Sequence, residues 1–185
     1  MNDTRYDLDW LIQQYQSKSK LKYLYFWGHT PKVAGQIDGI CFSQWYFAPF
    51  VIDDMIYPTA EHYMMAQKAL LFGDDEIFHQ IIHAKHPTQA KDLGRQVSNF
   101  DEKTWNEKRV DIVMTGNIAK FSQHPELKDF LLNTGKRILV EASPVDKIWG
   151  VGLAQDDDRI HNPLTWQGLN LLGFALMNVR DRLSI

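Results

Sequence analysis

The first residues with chemical potential lie just after Pro58. Glu61 and Lys68 are seven positions apart, so on a helix they share a face two turns long, with Met64 and Met65 between them. The other stripe, Ala60, Tyr63, Gln67 and Leu71, is also fairly apolar. A helix apolar on both sides is buried, and it takes Glu61 and Lys68 with it. A buried carboxylate is costly unless paired or used. One reading is an acid/base carboxylate with a cation that anchors an anionic substrate. The other is a structural ion pair, or a glutamate that serves only the helix dipole.

A second group lies in Glu141–Leu153. Asp146 and Trp149 are three apart, and Gly150 and Gly152 follow. An acid, an indole and flexible backbone after a strand can make a pocket wall. They can equally make a surface turn capped by Asp146 with Trp149 as a core plug. Trp27, Trp45, Trp105, Trp149 and Trp166 fall at the borders of expected elements. There an indole can stack on a flat heterocycle, worth ~1–3 kcal/mol per stacked base, or simply pack.

Other chemistries find little support. His79, His83 and His86 have helical spacing, but Pro87 ends the helix by His86 and no acid stands at ligand spacing, so no metal is expected. Cys41 has no cysteine partner and no histidine singled out as its base. No glycine-rich phosphate loop occurs. Asp156–Asp158 lacks the glycine and distal glutamate of a calcium loop.

The elements that must position these groups can be outlined. Asp7–Tyr15 reads as a short amphipathic helix with Leu8, Leu11, Ile12 and Tyr15 on one face, docking onto the domain. Lys18–Lys22 is polar and basic, a hinge. Tyr23–Trp27 reads as a buried strand, His29–Gly39 as a loop, and Ile40–Phe50 as β-like. Asp53-Asp54 is a turn and Met55–Tyr57 a strand. Helices are expected from Thr59, an N-cap, to about Phe72, ended by Gly73; from Asp74-Asp75; over Thr88–Gly94, opened by Pro87; and, capped by Asp101, from about Glu102 to Phe121, with Val110, Met114 and Phe121 on its stripe and Trp105 and Ile112 beside it. Another starts at Pro125 and stops before Gly135. Arg137–Glu141 is the clearest strand, Asp146–Asp158 a loop, and Thr165–Leu183 the last helix.

The strands do not alternate with helices, so the fold class is α+β, a mostly helical single domain with a small sheet of short strands. The expected organisation is a helical extension over 1–22 and a domain over 23–185. Composition agrees: 185 residues, 44% hydrophobic, 23% charged and net charge −3, which excludes disorder, coiled coil and the basic footprint of a general nucleic-acid binder. A single cysteine fits a reducing, cytoplasmic setting. The acidic N-terminus is unlike a signal peptide, and apolar runs such as Leu171–Met177 are far shorter than the ~20 residues of a membrane span, so no membrane partner is expected.

With these residues in place a family resemblance emerges. Tyr57-Pro-Thr-Ala-Glu-His-Tyr-Met-Met-Ala-Gln-Lys68 resembles the signature helix of the NADAR, or YbiA-like, family. The likeness continues through Ala90–Arg95, Trp105–Arg109, Lys120–His124, Leu131–Gly135, Leu139–Ser143, Asp146–Leu153, Trp166–Gly173 and Leu176–Arg180, so it spans about residues 40 to 183. It implies a YbiA-like fold and N-glycoside hydrolysis. The implied substrates are phosphoribosylamino-pyrimidines of early riboflavin synthesis, cleared as reactive metabolites. Alternatives are removal of ADP-ribose from guanine in nucleic acid, and a non-catalytic module that binds ADP-ribose or NAD. Carried over residue by residue, the acids are Glu61 and Asp146, meeting in one cleft around the anomeric carbon. Trp105 and Trp149 wall the heterocycle, and Lys68, Arg95 and Asn170 are polar pocket positions, Lys68 and Arg95 for phosphate. Neither a metal nor an organic cofactor is implied, because the leaving group is already electron-poor. The segment before Pro49-Phe50 departs from the family's Phe-Ser-Asn by reading Phe42-Ser43-Gln44, and the longer amide is expected to reshape the sugar or base site.

Overall fold

A computed structural model describes residues 4–30 and 36–184. Part of the loop expected over His29–Gly39 therefore lies outside the described residues. The chain folds as two compact units: Gln44–Pro125, and the residues up to Ser43 together with those from Glu126 onward. The class is α+β, with seven helices and four short strands among the described residues.

In Gln44–Pro125 a hairpin forms for a local reason. The strands Phe50–Ile52 (β2) and Met55–Tyr57 (β3) pair antiparallel, Phe50 opposite Tyr57. Between them Asp53 and Asp54 both hold positive φ, 50° and 61°, the conformation of a two-residue hairpin turn. Phe50 and Tyr57 face inward onto Tyr63, with ring centroids 5.0–6.0 Å apart. The amide of Gln123 occupies the open edge, donating to the Val51 carbonyl at 2.8 Å and accepting from its N–H at 2.9 Å.

Four helices complete this unit: α2 (Ala60–Leu71), α3 (Asp75–Ile82), α4 (Pro87–Gly94) and α5 (Glu102–Gln123). Each start is set by a cap the sequence announces: Thr59, Asp74 and Asp101 accept from the first-turn amides, and Pro87 opens α4. Small residues allow close approach: a Cβ on Gly116 would stand 2.6 Å from the Tyr63 ring, and one on Gly94 would collide with the Met65 sulfur.

The other unit is built on a parallel pair, β1 (Tyr23–Phe26) and β4 (Ile138–Glu141), in the register Tyr23 to Ile138. Helix α7 (Leu171–Leu183) packs against β4, and every residue from Leu172 to Arg180 is buried. Helix α6 (Pro125–Asn133) precedes β4, and α1 (Leu8–Gln16) buries Leu11 completely. The Arg5 N–H donates to the Asn178 side chain and the Tyr6 hydroxyl to Asp181, fastening the segment before α1 onto α7.

Several expectations need correction. Ile40–Phe50 is not β-like before Phe50. The Asp38 carboxylate accepts from the Ile40 N–H at 2.8 Å and closes a 3₁₀ turn over Gly39–Phe42, and Phe47 is exposed. The last helix starts at Leu171 rather than Thr165, because Asn170 holds a left-handed φ of 53° that stops helical propagation. Trp27 and Tyr15 are exposed rather than buried. Along α5 the buried stripe is Val113, Met114, Gly116, Asn117, Lys120 and Phe121, while Val110 and Ile112 are only half-buried. Among the described residues no helix is long and apolar enough to cross a membrane.

Candidate active site

Glu61 occupies the first turn of α2 and is 3% exposed. The position suits a carboxylate, since the unsatisfied amides of a helix start carry partial positive charge. Its own N–H donates to the Gln44 carbonyl at 2.9 Å, so Gln44 is tied to the turn that presents Glu61. The Gln44 side chain is also buried, and its Oε1 accepts from Asn117 Nδ2 at 2.8 Å. That same Nδ2 donates to the Val113 carbonyl at 2.8 Å, which fixes the Asn117 amide orientation. The outcome is two spare halves: Gln44 Nε2, a donor, and Asn117 Oδ1, an acceptor, are buried with no hydrogen-bond partner among the described residues. One turn further along α5, Lys120 is completely buried, its Nζ 5.5 Å from the centre of the Tyr46 ring. A buried acid on α2, a buried ammonium on α5 and two buried amides with unmet capacity thus lie within this one unit. Buried polar groups of this kind are ordinarily satisfied by ordered water, an ion or a ligand.

His62 beside Glu61 is not part of this chemistry. Its Nε2 lies 3.1 Å from the Ala84 carbonyl, which can only accept, so Nε2 carries the proton and Nδ1 accepts from the Thr59 hydroxyl at 2.8 Å. Burial pushes its pKa down, so the ring is neutral and links α2 to the end of α3.

Lys68 sits about 10 Å along α2 from Glu61 at 1.5 Å per residue. It is half-buried, not buried as expected. Its ammonium donates to the Gly94 carbonyl at 2.8 Å, at the end of α4, and lies 4.3 Å from the Phe100 ring centre and 5.7 Å from that of Trp105. Burial holds its pKa below the usual lysine range. The structure thus brings Lys68 and Trp105 together, with two of the three ammonium protons outside the bond to Gly94. Arg95 is adjacent in sequence but mostly exposed, paired to Asp92 at 2.9 Å on the surface.

Asp146, Trp149 and Asn170 gather in the other unit, beyond the end of β4. Asp146 Oδ1 accepts from the N–H groups of Ile148 and Trp149, each at 2.8 Å, so this oxygen closes the turn. Its Oδ2 makes no hydrogen bond among the described residues. Trp149 is half-buried. Asn170 is fully buried and positions the turn: its Oδ1 accepts from the Glu141 N–H, its Nδ2 donates to the Leu139 carbonyl, and its own N–H donates to the Gly150 carbonyl. Gly150 is required, because a Cβ would meet the Glu141 carbonyl at 2.9 Å. Glu61 and Asp146 fall in different units.

The residues missed by sequence reasoning are Asn117 and Lys120. Their signal was present: two polar residues at positions i and i+3, on the same face as Val113, Met114 and Phe121. The histidines of α3 are accounted for locally, His83 Nδ1 donating to the His79 carbonyl at 2.7 Å and His86 preceding α4. Among the described residues no three His, Cys, Asp or Glu side chains converge as metal ligands.

Known proteins resemble this chain. The NADAR domain family model matches residues 25–184. N-glycosidase R617 of Acanthamoeba polyphaga mimivirus is 43% identical over 165 residues, 86% of this chain and 95% of that protein. N-glycosidase YbiA of Escherichia coli strain K12 is 34% identical over 144 residues, covering 78% and 79% of the two chains. The NMR structure of E. coli YbiA superposes with a TM-score of 0.66 at 27% identity, over 89% of this chain and 87% of that one. Since the match takes in the Glu61 helix, the Asn117–Lys120 stripe and the Asp146 turn alike, the chain belongs to the NADAR domain family.

Proposed function

We propose that this protein hydrolyses the ribosyl C–N bond of phosphoribosylamino-pyrimidines, the early intermediates of riboflavin synthesis, and so removes reactive metabolites from the cytoplasm. The reaction class is that of its N-glycosidase relatives. The C–N bond breaks with its electrons going to nitrogen, which takes up a proton. Water adds to the anomeric carbon and gives up a proton. The intervening state resembles an oxocarbenium ion, so a carboxylate held out of water beside that carbon has its largest effect there.

The observation that carries the reading is Glu61: buried, in a helix's first turn, and tied through Gln44 to the unmet amide groups. Glu61 is assigned as the stabiliser of the cation or the base for water. The spare donor on Gln44 and acceptor on Asn117 suit the amide-like edge of a pyrimidine, and Lys68 suits the phosphate. Asp146, with one oxygen outside its turn, is assigned to positioning ribose or water, and Trp105 and Trp149 to the heterocycle.

Glu61→Gln tests this. The variant is expected to fold normally and to lose ~2–3 kcal/mol of barrier lowering, on the order of a hundredfold in rate. Assays run in parallel on phosphoribosylamino-pyrimidine and on ADP-ribosyl-guanine DNA separate the substrates. Faster turnover of the second would move the substrate, tight ADP-ribose binding without turnover would leave a binding module, and unaltered turnover by Glu61→Gln would remove Glu61 from the chemistry.

A further inference from the structure

Two basic stretches have no part in the chemistry above: Lys20-Leu21-Lys22 before β1 and Lys136-Arg137 before β4. They are 114 positions apart, yet the parallel pairing brings them side by side. Tyr23 stands opposite Ile138, and the Ile138 N–H donates to the Lys22 carbonyl at 2.8 Å. Lys20, Lys22, Lys136 and Arg137, with Asn133 and Thr134, line a cleft of about 400 Å³.

The charge there is one-sided. The lining holds four cations and no carboxylate, on a chain whose net charge is −3. All four side chains belong to exposed residues, and none is ion-paired to a carboxylate among the described residues. Like charges on neighbouring strands repel. The C-terminus of α6 nearby offers roughly half a negative charge, too little to balance four.

The wall behind the cations is fixed. Arg180, 4% exposed, donates from Nη1 to the Thr134 hydroxyl and to the Arg137 carbonyl, each at 2.9 Å, and the Thr134 hydroxyl donates to the Leu131 carbonyl. The cleft is thus a preformed concavity at the start of β1 and β4. The Asp146 turn lies past the other end of β4, about 13 Å away for four strand residues.

We propose that this cleft binds a phosphate-bearing ligand of two or more negative charges, held by Lys20, Lys22, Lys136 and Arg137, separately from the N-glycosidase chemistry. Its volume is at the small end of ligand sites, enough for a diphosphate with part of its nucleoside or for a stretch of phosphodiester backbone. The inference does not depend on the substrate assigned to Glu61.

The test is titration of the full chain with inorganic tripolyphosphate, ADP and a short single-stranded oligonucleotide, followed by calorimetry or anisotropy at about 50 and 200 mM salt. Saturable binding that weakens with salt is expected. Lys22→Glu with Lys136→Glu should weaken it at least about tenfold and flatten the salt dependence by roughly one to two counterions, while turnover of the ribosyl substrate stays unchanged. A preference for ADP over the oligonucleotide identifies a free nucleotide as the source. The reverse identifies a nucleic-acid backbone. Both support the proposal. Absence of saturable binding by the unaltered protein at low salt, or equal affinity in the double variant, would overturn it. Loss of turnover in a folded double variant would overturn the separation of the two sites.

Discussion

Gln44 and Asn117 show how a single residue can be read by what it leaves undone. An unpartnered buried amide group costs ~1–3 kcal/mol, whereas replacing both partners by apolar groups of similar shape can be neutral or stabilising. Here the two side chains satisfy each other once and each retains a second, unmet atom. If those atoms exist for a substrate, stability and activity should part company. The double variant Gln44→Met with Asn117→Leu is expected to melt at the same temperature or higher, and its kcat/KM to fall at least tenfold, about 1.4 kcal/mol. Thermal denaturation and turnover on the same preparation check this. A large drop in melting temperature would mean that the amides hold the unit together and owe nothing to a ligand. Asn170 differs in that its side chain serves the backbone: Oδ1 accepts from the Glu141 N–H and Nδ2 donates to the Leu139 carbonyl, so it shapes the Asp146 turn.

At the level of elements, α2 is the piece whose placement matters most, and His62 locks it. The ring is neutral in the folded protein because burial depresses its pKa below the ordinary value of 6.5. In the unfolded chain it takes up a proton as pH falls through that value. The unfolded state then binds more protons than the folded one, so stability declines on acidification below about pH 6.5 and is regained above it. Urea midpoints at several pH values between 5 and 8 should show this slope, and His62→Gln, which keeps a donor for the Ala84 carbonyl, should flatten it. An unchanged slope would place the titration on other groups. This lock was not legible in the sequence, although much around it was. The Thr59, Asp74 and Asp101 caps, Pro87 at the start of α4 and Gly73 after α2 were readable because capping is a local interaction. The start of α7 was not, since it depends on Asn170 reaching β4, roughly thirty positions earlier in the chain. The aromatic run from Ile40 to Phe50 looks like strand by propensity, but the Asp38 carboxylate turns it and leaves it nothing to pair with until Met55–Tyr57. Glu61 stood out as a carboxylate in an apolar helix, while Asn117 and Lys120 were hidden in a long helix whose exposed face is also polar.

Across the whole molecule, the boundaries of the family and of the fold do not coincide. The family match begins at residue 25, yet α1 lies before it and Leu11 is completely buried in the unit that holds β1, β4 and α7. The preceding segment is bound by the Arg5 N–H to Asn178 and by the Tyr6 hydroxyl to Asp181 at 2.7 Å, both acceptors on α7. An appended helix that merely rides on a finished domain would leave its apolar face half open. This one inserts a leucine with no exposed surface, so the core is completed by residues outside the family match. Leu11→Ala is therefore expected to cost ~2–5 kcal/mol, the range for truncating a leucine in a packed interior, while Leu8→Ala, at a half-buried position of the same helix, should cost clearly less. Urea denaturation of both variants checks the contrast. Equal, small losses would return α1 to the status of a dispensable extension. A large loss at Leu11 with ribosyl turnover unimpaired below the melting transition would show that the segment stabilises the unit carrying Asp146 without entering its chemistry.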